Sequence, residues 1–309
     1  MGRRRKGDAV SGWICLDKPL DLGSTQAVSR VRRAFNAQKA GHAGTLDPLA
    51  TGILPIALGE ATKTVPFLVE ADKAYSFSIQ WGVETATFDR EGAVTATSDI
   101  RPTLDQTAHA LKAFVGEIDQ IPPDYSAIKV DGARAYDLAR EGVAMDLKSR
   151  KVTIHGAAVV GQSGPDGVDI VMECGKGTYV RALVRDLATA LGARGHVSAL
   201  RRTRVGPFTE ANATGLEVLE TLCHNGIALE VLLPVETALD DIPELAVTTE
   251  DAFRLTQGRS IVLLPRQVET LKARLSASRV VSARHGDQIV ALCEMRAGRL
   301  NPTRVFNIN

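Results

Sequence analysis

Apolar positions recur along this chain with two periods, and turn residues separate the runs. "WICLDKP" is a short apolar run closing on a proline, the pattern of a buried strand. In "STQAVSRVRRAF", Ala27, Val28, Val31 and Phe35 recur at helical spacing, with Ser24 or Thr25 as the expected N-cap. The other face carries Arg30, Arg32 and Arg33, which suit the helix dipole, a phosphate or water equally well. "YSFSIQW" alternates strictly, with Tyr75, Phe77, Ile79 and Trp81 on one face, and predicts a half-buried strand. "TLDQTAHALKAFVG" opens with a Thr103–Gln106 capping box and predicts a stripe of Leu104, Ala108, Leu111 and Val115. "QIPPDYSAIKVDG" is a Pro-rich loop entering a strand, and "RAYDLAREG" a short helix stopped at Gly142. "KVTIHGAAVVG" and "VDIVMECG" predict two strands around a Ser-Gly-Pro-Asp-Gly turn. "TYVRALVRDLATALG" predicts an amphipathic helix capped by Thr178 and ended by Gly192.

Strands and helices mix without strict alternation. That favours α+β, with a large mixed, mostly antiparallel sheet flanked by helices, over a doubly wound fold. Residues 1–9 read as a flexible basic tail, 10–245 as one large domain with an acidic connector from about 210, and 246–309 as a small β-rich module.

Composition adds two constraints. The chain has 309 residues, 44% of them hydrophobic, enough for a substantial core. No apolar run is long enough to span a membrane, and the basic start lacks the apolar core of a secretory signal. Four scattered cysteines show no metal spacing and read as reduced thiols of a cytosolic protein. No coiled-coil or interface stripe appears, which points to a monomer. The net charge of +1 conceals an uneven distribution. Residues 205–253 hold ten acids and no Lys or Arg, leaving +11 on the rest, so a basic face for a polyanion is expected.

Candidate chemistry centres on "GHAGTLDPLATGILP", which holds one carboxylate, Asp47, among glycines and aliphatics. Asp47 either caps a local turn or serves as a nucleophile or base on a loop in an apolar cleft. Arg181 falls in the first turn of its helix, where a cation opposes the dipole by about 0.3–1 kcal/mol. It either meets an anion there or reaches solvent. Tyr179, on a Gly-flanked corner, is core or a stacking platform. His42, Lys63, Lys129, Arg201, Arg202 and Arg204 fall at element ends; each alone reads as a solvated charge, while as a set interleaved with aromatics they suit RNA backbone contacts with a base stacked in a pocket.

"GHAGTLDPLATGILPIALGEATK" closely resembles the signature of the TruB family of tRNA pseudouridine synthases. The likeness continues in order through "KAYSFSIQWGVETATFDREG", "IPPDYSAIKVDGARAYDLAREG", "CGKGTYVRALVRDLATALG" and "VSALRRTRVGPF", covering about residues 12–210. The C-terminal module resembles the family's PUA-like domain. One block departs: "DKPLDLGST" has Asp21 and Gly23 where the family pattern, DKPxGxTS, has Gly and Thr. The resemblance implies that Asp47 is the catalytic aspartate and Arg181 its ion-pair partner. Tyr75 would stack on the target base and Tyr179 line its pocket. His42 would fill the space left by the extruded nucleotide or contact its phosphate, while Lys63, Lys129 and Leu200 complete the wall. It further implies action on the T-loop uridine at tRNA position 55, on the T-arm stem-loop, without metal, organic cofactor or guide RNA. The competing readings are a non-catalytic RNA-binding or tRNA-folding protein, a guide-dependent relative, and, most distantly, a glycosidase-like enzyme, which would need a second carboxylate.

Overall fold

A computed structural model describes residues 7–126, 128–130, 133–143, 145–275 and 279–308. Most of the expected basic tail lies outside the described residues; Asp8, near its end, accepts a side-chain bond from Asn36 and donates its own N–H to the Asn36 carbonyl.

The chain opens with β1 (Gly12–Lys18), α1 (Ser24–Ala34), β2 (Ala40–His42) and β3 (Ala50–Leu58), then α2 (Val65–Glu70) and β4 (Lys73–Trp81). A hairpin of β5 (Val83–Thr85) and β6 (Val94–Thr97) precedes α3 (Leu104–Leu111) and β7 (Gly116–Gln120). The short pair β8 (Lys129–Val130) and β9 (Ala133–Arg134) leads into α4 (Ala135–Arg140). Then come β10 (Arg150–Gly161), β11 (Gly167–Cys174), α5 (Val180–Ala190), β12 (Gly195–Val205), β13 (Phe208–Thr209), β14 (Thr214–Gly215) and α6 (Leu216–His224). The last part holds β15 (Glu244–Ala246), α7 (Thr249–Thr256), β16 (Ile261–Val262), α8 (Pro265–Arg274), β17 (Val280–His285), β18 (Gln288–Arg296) and β19 (Arg299–Val305).

One sheet runs β14-β1-β3-β12-β4-β11-β10-β7, with β2 against β3 and β13 against β12. Only β1–β14 and β3–β12 are parallel, so the mixed, mostly antiparallel sheet matches expectation. The alternation of "YSFSIQW" sends Phe77, Ile79 and Trp81 into a core with Val180, Leu183, Val184 and Leu187 of α5. The second sheet, β15-β17-β18-β19-β16, already includes residues 244–246. Thr248 caps α7 as a side-chain acceptor for the Asp251 N–H, and α8 was not anticipated from the sequence.

The two sheets meet along a shared apolar seam. Trp13, Phe208 and Val235 of the first part pack with Ile289, Leu292 and Phe306 of the second. Each such fully buried side chain contributes roughly 1.5–3 kcal/mol.

Three local expectations shift. Gly23, not Ser24 or Thr25, occupies the N-cap of α1, and the Ser24 hydroxyl instead bonds Leu46. Tyr179, not Thr178, is the N-cap of α5: the Thr178 hydroxyl donates to the Gly175 carbonyl instead, and the Tyr179 N–H donates to the Gln120 side-chain oxygen. In α3 the buried positions are Thr107 and Leu111, while Leu104 and Val115 are exposed: the helix tightens into a 3-10 turn after Leu111, breaking the predicted stripe.

Candidate active site

The loop from Ala43 to Leu49 carries Asp47, and several parts of the chain hold it by its backbone. The Ser24 hydroxyl donates to the Leu46 carbonyl and accepts from the Leu46 N–H, both at 2.8 Å. The Lys18 ammonium, fully buried, donates to the carbonyls of Pro19, Leu22 and Pro48 at 2.9, 2.7 and 3.3 Å. The Asp21 N–H donates to the same Pro48 carbonyl at 2.9 Å. Asp21 sits at φ 60, a left-handed conformation natural to glycine, at the position where the family pattern has glycine. The departure noted in the sequence is therefore absorbed as mild backbone strain, with the loop contact kept.

Beyond the loop, β3 runs parallel to β12, with Ala50 opposite Leu200 and Gly52 opposite Arg202. Gly52 is at φ 96, and a Cβ there would lie 2.2 Å from the Arg202 carbonyl oxygen, so only glycine permits this approach. On its other edge β12 pairs with β4, placing Arg202 opposite Tyr75. The result is a cleft of about 320 Å³ lined by Asp47, Tyr75, Tyr179, Arg181, Leu200 and Arg202 among others.

Arg181 and Asp47 do meet. The guanidinium lies 2.8 Å from the carboxylate, with the arginine side chain 7% exposed and the aspartate 43%. Arg181 also donates to the carbonyls of Thr87 and Tyr125 at 3.0 and 2.7 Å. A second carboxylate, Asp89, stands 3.7 Å from the Arg181 Nε. Asp89 is held by the Thr87 hydroxyl at 2.5 Å and by the Glu91 N–H at 3.0 Å. Between them Phe88 adopts φ 56, so a strained turn aims both the Thr87 carbonyl and Asp89 at the same arginine. The sequence reading passed over Asp89: nothing in the hydropathy of "TFDREG" marks it. Its own anchoring to Thr87, Glu91 and Arg181 makes it a brace for the arginine, whereas Asp47 is the carboxylate open to the cleft.

Tyr75 and Tyr179 both line the cleft. Burial pushes the Tyr75 phenol up, opposed by the charge of the Arg202 guanidinium. Burial likewise raises Tyr179, opposed by the nearby Ser126 hydroxyl and by the Arg150 and Arg181 charges. Both stay protonated at neutral pH as apolar-faced rings with a polar tip. Lys73, two residues before Tyr75 and 7% exposed, donates to the Val69 and Ala71 carbonyls at 2.6 and 2.5 Å. Burial, with Arg202 nearby, lowers its ammonium to about 8; burial also lowers Lys18 to about 8.

Other expected site residues are placed differently. His42 ends β2 opposite Ile56, at the shoulder of the cleft and outside its lining. Lys63 is not in the cleft: it lies at the seam, donating to Glu60 at 2.5 Å and to the Val305 carbonyl at 2.7 Å, because the turn after β3 faces the second sheet. Lys129 heads β8, and its side chain lies outside the described residues. Arg201, Arg202 and Arg204 do not form a phosphate-facing row. Arg201 is bound by Asp17 and Glu210, Arg204 by Glu173, and Arg202 is buried. Strand alternation separates Arg201 from Arg202, and a β-bulge between Arg202 and Arg204 breaks the alternation that would otherwise put those two on one face. Among the described residues no cluster of three His, Cys, Asp or Glu side chains is placed to hold a metal, and no helix is long and apolar enough to cross a membrane.

Residues 32–180 match the profile described as TruB family pseudouridylate synthase (N terminal domain), and 181–240 that of the tRNA pseudouridylate synthase B C-terminal domain. The chain belongs to the TruB family. It is 71% identical over 309 residues to tRNA pseudouridine synthase B of Caulobacter vibrioides, covering 100% of both chains. It is 52% identical over 310 residues to the protein of that name from Bradyrhizobium diazoefficiens, covering 99% of this chain and 88% of the relative. Among solved structures it is similar to a chain of a Cbf5-Nop10-Gar1 complex, with TM-score 0.71 and 25% identity over 95% of this chain and 84% of that one. A chain of an H/ACA RNP bound to a substrate RNA shares the fold, at TM-score 0.72 and 22% identity, with coverage of 100% and 92%.

Proposed function

We propose that this enzyme isomerises uridine to pseudouridine in the T-loop of tRNA, at position 55, with Asp47 as nucleophile. The observation that carries the reading is one solvent-reachable carboxylate paired with a buried arginine at 2.8 Å, in a cleft walled by two tyrosines and a leucine. The reaction breaks the N1–C1′ bond, turns the uracil and forms C5–C1′; the C5 proton leaves, and N1 ends protonated. Attack at C6 of the base or at C1′ of the ribose both need an ionised Asp47, and Arg181 favours that form against desolvation. Water must be kept from the sugar cation or ester while the base turns, and the ring and aliphatic wall serve that end. Asp89 does not make the site glycosidase-like, since it is committed to Arg181 and its neighbours rather than to activating water.

The base must flip out of its loop at a cost of a few kcal/mol, and stacking on Tyr75 returns roughly 1–3 kcal/mol. The second sheet is read as a PUA-like module that adds RNA contacts, with ten Lys or Arg against five acids from residue 245 onward. The enzyme acts on the T-arm as a monomer in the cytoplasm, with no guide RNA, cofactor or metal. Full-length likeness to proteins named tRNA pseudouridine synthase B favours this over a guide-dependent role.

The test is tritium release from uridine C5 of unmodified tRNA by wild type and Asp47→Asn. Wild type releases tritium from a bare T-arm stem-loop, and the variant loses more than about a thousandfold in rate. Release by the variant at the wild-type rate overturns the assignment of Asp47. Tight tRNA binding by wild type without pseudouridine overturns the enzymatic reading in favour of an RNA-binding protein.

A further inference from the structure

We propose that Arg202 is a positioning residue for the isomerisation, holding the Asp47 loop and the Tyr75 phenol in a fixed relation to each other. The inference rests on the function proposed above and adds a residue that the reading of the sequence had assigned to RNA phosphate.

Arg202 is 2% exposed, yet among the described residues no carboxylate lies within ion-pair distance of it. Its guanidinium is spent on backbone. Nε donates to the Ile53 carbonyl at 2.7 Å, Nη2 to Gly44 at 3.1 Å and Nη1 to Thr45 at 3.4 Å. These three carbonyls bracket Asp47: two lie just before it and one lies on the strand that follows. Across β12 and β4, Arg202 stands directly opposite Tyr75, both line the cleft, and its charge opposes the burial-driven rise of the Tyr75 phenol. A planar fork with five donors is suited to fixing several acceptors at once, and a lysine is not. Gly44 at φ 90 and Gly52 at φ 96 let the backbone close around the side chain.

The absence of a carboxylate has a chemical reason. A counter-anion beside Tyr75 would face a uracil that carries negative charge when its N1–C1′ bond opens or its C6 is attacked. Carbonyl oxygens hold the cation without adding that repulsion, and they leave Arg181 as the partner of Asp47. The cost is a buried charge met only by dipoles, which is tolerated where orientation matters more than stability.

Arg202→Met and Arg202→Lys test this, with single-turnover pseudouridine formation and tRNA affinity measured on the full chain. Carbon-13 labelling of tyrosine Cζ, with Tyr75→Phe for assignment, follows the phenol by NMR without requiring activity. In Arg202→Met the rate falls about 100-fold, as expected for a misplaced reacting group, while the tRNA Kd changes by less than about threefold. The Tyr75 phenol titrates at higher pH than in wild type, because an opposing cation is gone. Arg202→Lys restores the phenol titration and about a tenth of the rate, since the charge returns without the fork. A rate within about twofold of wild type in Arg202→Met, or loss of tRNA affinity in step with the rate, overturns the proposal. So does an unmoved Tyr75 titration. If Arg202→Met does not fold, Arg202→Lys decides: a rate loss of about tenfold at unchanged Kd supports the inference, and a wild-type rate sinks it. Failure of wild type to form any pseudouridine would instead strike the functional reading, and the NMR result would still stand.

Discussion

At the cleft, Lys18, Lys73, Arg181 and Arg202 are buried on carbonyl oxygens and carboxylates; at the seam between the sheets, Trp13, Phe208, Leu292 and Phe306 bury apolar area with a few polar ties around them. Those ties are the Lys63 bonds to Glu60 and Val305, the Asn307 N–H to Glu60 at 2.7 Å and the Ile289 N–H to Glu236 at 3.0 Å. The difference follows from what each region must do. A seam has only to stay closed, and hydrophobic burial is non-directional. The cleft has to aim one carboxylate, and only directional bonds to backbone can do that. Substitutions in the cleft should therefore move rates, and substitutions at the seam should move stability.

The largest effect expected is at Arg181. Arg181→Met leaves Asp47 and Asp89 without their shared cation and two carbonyls without a donor. Without the cation that keeps Asp47 ionised and aimed, the single-turnover rate should drop by about a thousandfold, read by pseudouridine formation under enzyme excess. If Arg181→Met kept the wild-type rate and lost only thermal stability, cleft and seam would not differ in kind. The counterpart at the seam is Phe306→Ala, expected to cost about 3–5 kcal/mol in urea unfolding while the folded fraction turns over at nearly the wild-type rate. A large rate loss without destabilisation would mean that the second sheet takes part in chemistry.

A smaller effect comes from pH. Burial lowers Lys73 and Lys18 to about 8, below their ordinary value of 10.5. Between those values the unfolded chain binds more protons than the folded one, so these two groups add stability as pH rises from about 8 towards 10.5. Burial-raised Tyr75 and Tyr179 reverse that trend above pH 10, where the unfolded chain loses phenol protons first. Lys73→Met should remove on the order of 1 kcal/mol of the rise, seen in urea midpoints from pH 7.5 to 9.5. The smallest effect is at Asp21. Asp21→Gly relieves the left-handed strain at φ 60 and should stabilise by about 0.5 kcal/mol, raising Tm by a few degrees at most with the rate unchanged. A fall in rate would show that the aspartate side chain, not only its N–H, serves the Asp47 loop.

Much of the fold is legible in the sequence. The alternation of "YSFSIQW", the capping box at Thr103 and the stop at Gly142 each express a local rule, and each appears in place. Part of the site was legible too. A lone acid in a greasy loop and an arginine opposing a helix dipole are local anomalies, and the two side chains meet. Arg202 left a fainter trace. It lies two residues from Leu200 on a strand, which marks the same inward face, but the neighbouring arginines made it look like part of a surface row. Asp89 left none, since its contacts depend on a left-handed turn at Phe88 and on a helix that arrives almost a hundred residues later.

Periodicity, caps and turn residues act over a few positions, so the sequence by itself determined the elements, the mixed architecture and the residue types available for chemistry. Which cation meets which anion was decided by the parallel pairing of β3 with β12 and by the docking of α5 beneath β4. Those contacts join residues about 130 to 150 positions apart, whose encounter rests on burial summed over the whole sheet. For that reason Lys63 went to the seam, Arg202 went beneath the catalytic loop, and Asp47 alone was left open to the cleft.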